Sequence, residues 1–264
     1  MRKLEELQFD NTYARLPPAF YSAARPTPLS DPYLVSFNPA AAELIYLDPQ
    51  EAERPEFVEY FTGHRTLPGA EPLAMLYAGH QFGSYVPQLG DGRAILLGEV
   101  RNARGLKKWD LHLKGAGPTA YSRGFDGRAV LRSTIREYLC GEAMHALGIP
   151  SSRGLCIVGS DAPVRRETIE TAATLVRMSE SHVRFGTFEV FYYRGQHERV
   201  RVIVLRIAVI ALGPHLLVGV RQAPAGPKHL QALPLLPLHL GDLAVHARRR
   251  LVEVFAGRDL ASER

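Results

Sequence analysis

The chain has 264 residues, of which 46% are hydrophobic and 22% charged. That is the composition of a globular protein with material for one or two domains and a real core. A net charge of +5 and a pI near 9.3 suit nucleic acid, anionic lipid or a phosphate-bearing small ligand, and select none of them. Its two cysteines, Cys140 and Cys156, lack metal-ligand spacing and have apolar neighbours, which predicts buried thiols in a reducing compartment.

The opening stretch, MRKLEELQFDNTYARLPPAF, has no apolar h-region of a secretory signal, so cytoplasm is the expected location. Residues 1–35 are rich in proline and polar groups and read as an extended segment laid over a domain surface. Helical apolar spacing begins at 36–48, with Asn38 as N-cap and Pro39 at the first helical position. PLAMLYAGHQF (72–82) also reads as helical. In QLGDGRAILLGEV (88–100) two glycines flank one aspartate, an arginine follows, and the apolar run over 94–100 predicts a strand. The segment 101–105 reads as a hairpin loop. KKWDLHLK (107–114) then alternates as a second strand, with Trp109, Leu111 and Leu113 on one face. A Gly-rich irregular stretch over 114–128 precedes the clearest helix, 129–149, in which Leu131, Ile135, Leu139, Ala143 and Leu147 recur every four residues before Gly148 and Pro150. Two more strands are expected over 153–160 and 168–178, then a loop and a helix. The order predicts an α+β lobe on an antiparallel sheet, without internal repeats.

At about residue 201 the character changes. All eleven tyrosines lie before residue 194, and from Arg201 to Val254 there is no aromatic residue. A membrane segment over 202–220 is disfavoured by Arg206 and the Gly213-Pro214 break, since arginine at mid-bilayer costs about 3 kcal/mol. A folded continuation of the domain is a second reading. The favoured third is that 201–264 is read out of frame and poorly ordered, because shifted high-GC codons yield such Arg, Ala, Pro, Leu and His.

Lys114 shares its strand face with Asp110 and His112. A lysine at a strand end can hold phosphate oxygens, although a solvated lysine is the commoner case. Twenty-three residues on, Glu137 shares a partly apolar helical stripe with Cys140, Gly141 and Met144. It needs a cationic partner if half-buried, and Lys114, Arg136 and Arg132 are all candidates. Arg177 and Arg184 could converge on a polyphosphate or be unrelated surface residues. Asp126-Gly127 is first of all a turn. His80, His112 and His145 read as structural. GxSxG, HExxH and GxxxxGK[ST] are absent from the sequence.

A strand lysine followed by a helix glutamate at this separation suggests the N-lobe of a protein kinase. Three strings sharpen the likeness: YAGHQFGSYVPQLGDGRAILLGE, WDLHLKGAGPTAYSRGFDGRAVLRSTIREYLCGEAMHALGIPSSRGL and TLVRMSESHVRFGTFE. They closely resemble the selenoprotein O-like family, also called YdiU, over about residues 1–200. The resemblance implies a kinase-like fold that transfers AMP from ATP to Ser, Thr or Tyr hydroxyls of proteins, with the nucleotide flipped so that its α-phosphate faces the acceptor. It also implies that Gly90, Gly92, Arg93, Asp126 and Gly127 contact ATP, that Lys114 holds phosphate oxygens, and that Glu137 orients Lys114. Arg177 and Arg184 would grip the polyphosphate.

The family's base and Mg²⁺ ligands lie in NTDN-like and DYGPFGF-like strings of a C-lobe, and neither string occurs here. Asp242 and Asp259 lack a matching context and carry no assigned role. The expectation is therefore a kinase-like N-lobe over 1–200 with a C-lobe missing or replaced by an atypical tail, and no catalytic or metal-binding residue. ATP and protein substrates are the expected partners, rather than nucleic acid or membrane. The alternative is a non-catalytic ATP-binding fragment. A basic nucleic-acid-binding protein rests only on the pI and on HARRR (246–250).

Overall fold

The structure, a computed structural model, describes residues 1–103, 105 and 107–212. The chain divides into two compact units, 1–194 and 195–264. In the first, strands β1 (Tyr21–Ala23) and β2 (Tyr33–Phe37) precede helices α1 (Pro39–Leu44) and α2 (Pro55–Thr62). Then come β3 (Leu73–Met75), the small hairpin β4 (Gly79–Gln81) and β5 (Ser84–Val86), β6 (Ala94–Arg101), β7 (Lys108–Lys114) and β8 (Ala129–Val130). Helix α3 (Leu131–Ala146), the long strands β9 (Arg153–Arg165) and β10 (Ile169–Ser179), and helix α4 (Phe185–Tyr192) complete it. Of the second unit the described part is helix α5 (His197–Leu212). Of the segment weighed as membrane-spanning, residues 202–212 lie in α5 and the rest outside the described set, as does the expected out-of-frame, poorly ordered tail beyond residue 212. Among the described residues no helix is long and apolar enough to cross a membrane.

The expected α+β lobe on an antiparallel sheet is present. One sheet runs β1-β3-β6-β7-β10-β9-β2, with β8 paired to β10, and all its pairings are antiparallel. The alternation in β7 decides which side each residue takes. Leu111 and Leu113 enter the main core with Ile95, Val176 and Met178, together with Ala41 of α1, its C-cap Ile45, and Phe57 and Phe61 of α2. The other face carries Asp110, His112 and Lys114, with Arg177 opposite His112 in register. There α3 covers the sheet through Leu131 and Tyr138, against Ile157, Ala173 and Leu175.

Four expectations need correction. Residues 1–35 are not a surface layer: Leu4, Leu7, Tyr13, Phe20 and Leu29 are buried, and β1 and β2 are the two edges of the sheet. The stretch 72–82 is not helical. Its Leu73, Ala74 and Met75 are buried, and its backbone is spent on other segments, Leu76 N–H donating to Phe20 O and Ala78 N–H to Gly186 O. A short apolar run buried on both faces has no periodicity to separate strand from helix.

Nor does the four-residue stripe of α3 face the core, for Leu139 is 59% and Leu147 74% exposed. Four residues overshoot one helical turn by about 40°, so five such positions wind around the helix. The inward face is Leu131, Thr134, Glu137, Tyr138, Gly141 and Glu142. For the same reason Cys140 is exposed, while Cys156 is buried as expected.

Asn38 does cap α1, accepting from Ala41 N–H at 3.2 Å.

Candidate functional site

Strand β7 ends at Lys114, and α3 passes over that end of the sheet. Glu137, one and a half turns into the helix, therefore comes down on the face that carries Lys114 and Arg177. One carboxylate serves both cations: Glu137 Oε2 pairs with Lys114 Nζ, and Oε1 accepts from Arg177 Nη1 at 3.0 Å. All three side chains are half-buried. Burial opposes the charge of Glu137, but Arg177 and Lys114 outweigh it and hold the carboxyl below its ordinary range. Burial and the nearby Arg177 and Arg93 lower the Lys114 ammonium, and Glu137 only partly compensates. Of the alternative partners for Glu137, Arg132 is bound to Glu170 instead and Arg136 is exposed.

Beside this pair lies a pocket of about 170 Å³, lined by Tyr77, Asp91, Gly92, Arg93, Ala94, Lys114, Arg177 and Arg184. Arg93 is exposed. Arg184, the N-cap residue of α4, stacks its guanidinium over the Tyr77 ring at 4.3 Å and lies 3.7 Å from Asp91 Oδ1. Four cations stand against the two carboxylates Asp91 and Glu137, so the site keeps an excess of two positive charges. A small, partly desolvated cavity with that excess suits a polyanion, since field lines focus in a low-dielectric cleft.

The Gly90-Asp91-Gly92 turn is shaped by its neighbours as much as by the pocket. Asp91 is buried, donates its N–H to Met75 O and accepts Met75 N–H through Oδ2. Gly90 has φ +62°, and a Cβ there would strike the Tyr121 ring; one on Gly92 would lie 2.8 Å from Tyr121 O. The missing side chains thus admit the 115–128 loop against the turn, and Gly92 also lines the cavity.

Of the expected residues, Gly92, Arg93, Lys114, Arg177 and Arg184 line one pocket, Glu137 bridges two of them, and Gly90 stands one residue away. Asp126 and Gly127 are not among the lining residues. Asp126 is exposed and forms a two-point pair with Arg166 at 2.8 and 3.1 Å, which keeps its carboxyl below the ordinary range. Gly127 is buried at φ +65°, where its carbonyl accepts Gly117 N–H.

On the polar face of β7, Asp110 and His112 are buried, so that face is not solvated there, and the burial of His112 fits a structural histidine. His112 Nε2 lies 3.1 Å from Asp91 Oδ2 and its Nδ1 is 2.7 Å from Arg177 Nη2. Burial pushes the imidazole down to about 3, and Asp91 offsets this only in part. Burial works against the Asp91 charge too, but its hydrogen bonds and neighbouring cations leave the carboxyl at about 2. His182, itself buried, stacks on His112 with ring centroids 4.4 Å apart, its backbone N–H donating to Asp110. Tyr77, Asp91, His112 and His182 are the residues that motif reading missed. Asp91 stood between the two quoted glycines, and His112 stood on the Lys114 face; alternation gives a residue's side but not whether that side is covered.

Both oxygens of Glu137 are taken, by Lys114 and Arg177, and Asp91 Oδ2 is taken by His112 and Met75, while the buried Asp91 Oδ1 has no hydrogen-bond partner and lies 3.7 Å from Arg184. Among the described residues no cluster of three or more His, Cys, Asp or Glu could hold a metal ion. Glu137 is spent on two cations and Asp91 Oδ1 faces Arg184, an arrangement that does not suit a divalent cation.

The antiparallel α+β lobe thus carries a cationic pocket at the junction of a strand end, a glycine turn and a crossing helix, a charge pattern suited to an anion. The chain belongs to the family described as protein adenylyltransferase SelO, whose model matches residues 3–211. It is 67% identical over 203 residues to the protein nucleotidyltransferase YdiU of Myxococcus xanthus, covering 77% of this chain and 41% of that protein. It is 62% identical over 201 residues to the protein of the same name from Thioalkalivibrio sulfidiphilus, covering 76% and 41%. The Azotobacter vinelandii protein of that name is 60% identical over 204 residues, covering 77% and 42%. The chain thus spans about two fifths of the length of these relatives.

Proposed function

We propose that this chain supplies the ATP-gripping, kinase-N-lobe-like part of a protein adenylyltransferase. The whole enzyme would transfer AMP from ATP to Ser, Thr or Tyr hydroxyls of protein substrates in the cytoplasm. The observation that carries this reading is the sharing of Glu137 between Lys114 and Arg177 at the wall of a pocket that Arg93 and Arg184 also line. Glu137 fixes the two cations while satisfying only part of their charge. The remainder, with Arg93 and Arg184, is offered to the polyphosphate. Because four cations surround the phosphates, the nucleotide would be oriented chiefly by its phosphate chain, with Gly92 allowing the turn to approach it.

In this reading AMP transfer requires a base that accepts the hydroxyl proton, and the described residues of the pocket include none suited to it. Asp91 is held at about 2 and faces Arg184, and Glu137 is already paired. The chain's own contribution is binding and orientation. Asp126 and Gly127 would meet ATP only if the nucleotide extends beyond the present lining residues.

Titration calorimetry on the chain tests the reading. ATP should bind more tightly than adenosine, and Lys114→Ala should weaken ATP at least about tenfold, the value of one charge-assisted contact. Equal affinity for ATP and adenosine would sink the proposal.

A further inference from the structure

We propose that His112 is a positioning residue, which divides Glu137 between Lys114 and Arg177 by holding one arm of the Arg177 guanidinium. The inference rests on the reading of the pocket as a phosphate grip.

An arginine guanidinium only donates hydrogen bonds. His112 Nδ1, 2.7 Å from Arg177 Nη2, must therefore be the acceptor. That leaves the ring proton on Nε2, which donates to Asp91 Oδ2 at 3.1 Å. Asp91 Oδ2 is itself fixed by Met75 N–H at 3.1 Å. A continuous line thus runs from the β3 backbone through Asp91 and a neutral imidazole to Arg177, and on through Glu137 to Lys114. Every ring in it is buried, and the His182 ring stacked on His112 prevents the imidazole from tilting away.

The geometry explains an arrangement that arginine does not choose by itself. Arginine and a carboxylate prefer the two-pronged fork, with both oxygens taken by one guanidinium. Among the described residues such forks are seen at Arg54–Glu5, Arg132–Glu170, Arg153–Glu142 and Arg166–Asp126. Arg177 does not form one with Glu137: Nη1 reaches Glu137, while Nη2 is spent on His112. With Nη2 occupied, Glu137 Oε2 stays available to Lys114. Without the imidazole acceptor, Arg177 would close its fork on Glu137 and displace Lys114 from the carboxylate, so that neither cation keeps its place against the phosphates. A histidine that merely fills the core would leave this division unaffected.

The test compares ATP with adenosine, which lacks phosphates, on the full chain. His112→Phe should lower ATP affinity roughly ten- to a hundredfold, the value of losing one or two charge-assisted hydrogen bonds, and leave adenosine unchanged. His112→Asn, whose amide oxygen can stand where Nδ1 stood, should recover most of the loss. Ring ¹⁵N spectra of the wild-type chain should show His112 neutral and protonated on Nε2, a readout that survives even if His112→Phe does not fold. An Nδ1-protonated or charged ring overturns the inference, as does full ATP preference in folded His112→Phe. Wild-type chain that holds ATP no better than adenosine overturns the phosphate-grip reading, and this inference with it.

Discussion

Glu137 carries two partners on two oxygens, and its replacement tests how closely grip and stability are joined. Glu137→Gln leaves Lys114 and Arg177 half-buried without a counter-charge, and should lower unfolding free energy by about 1–3 kcal/mol in urea titrations. Gly90→Ala should cost a similar amount, about 1–3 kcal/mol, because φ +62° is strained for alanine and its methyl meets Tyr121. An unchanged urea midpoint in either variant would contradict these packing assignments. Part of this was readable in the sequence. The residues alone leave Lys114 as one of three candidate partners for Glu137, and the resemblance to the YdiU family singles it out. The burial of His112 does not follow, because nothing in KKWDLHLK tells that its polar face will be roofed by α3 and by the His182 loop.

The inward face of α3 is set by its two ends. Glu137 reaches the site, while Glu142 accepts from Arg153 Nε and Nη2 and from Gly154 N–H, and so pins the helix to the start of β9. Leu139→Ser on the outer face should therefore change stability by less than about 0.5 kcal/mol. Tyr138→Ala, which removes a ring lying against Gly154, should cost about 1–3 kcal/mol. A larger loss for Leu139→Ser than for Tyr138→Ala in thermal melts would restore the four-residue stripe as the packed face. Asn38→Ala removes the cap of α1 and also the Nδ2 bond to Gly154 O at 3.0 Å, so its cost should exceed the usual value of about 1 kcal/mol for a cap. The cap was legible because Asn38 and Pro39 act within one turn. The helix face was not, because a strict period of four only approximates 3.6. The strand at 73–75 was hidden because its hydrogen-bond partners on β1 and β6 are remote in sequence.

For the molecule as a whole, the buried imidazoles predict how stability varies with acidity. His112 is held down to about 3 by burial, from an ordinary value of 6.5, and His182 is lowered for the same first reason. Below pH 6.5 the unfolded chain takes up protons at these rings and the folded chain does not, so unfolding becomes more favourable as pH falls towards 3. His112 contributes a slope of up to about 1.4 kcal/mol per pH unit in that window, and His182 acts in the same direction. Asp91, lowered from 3.8 to about 2, adds to the loss below pH 4. Urea midpoints measured from pH 7 to pH 4 should fall steadily, and a flat profile would mean that the rings titrate normally. The sheet has a further consequence for synthesis of the chain. Its outer strand β2 is translated early, yet its partner β9 emerges more than a hundred codons later; Asn38 and Gly154, at that junction, are 116 positions apart. The nascent chain must carry Tyr33, Leu34 and Phe37 unpaired through the ribosome's exit until β9 arrives, a span in which chaperone binding and premature association compete with folding. Arrest-peptide force profiles should stay quiet until β9 and β10 have cleared the tunnel, then rise in one step.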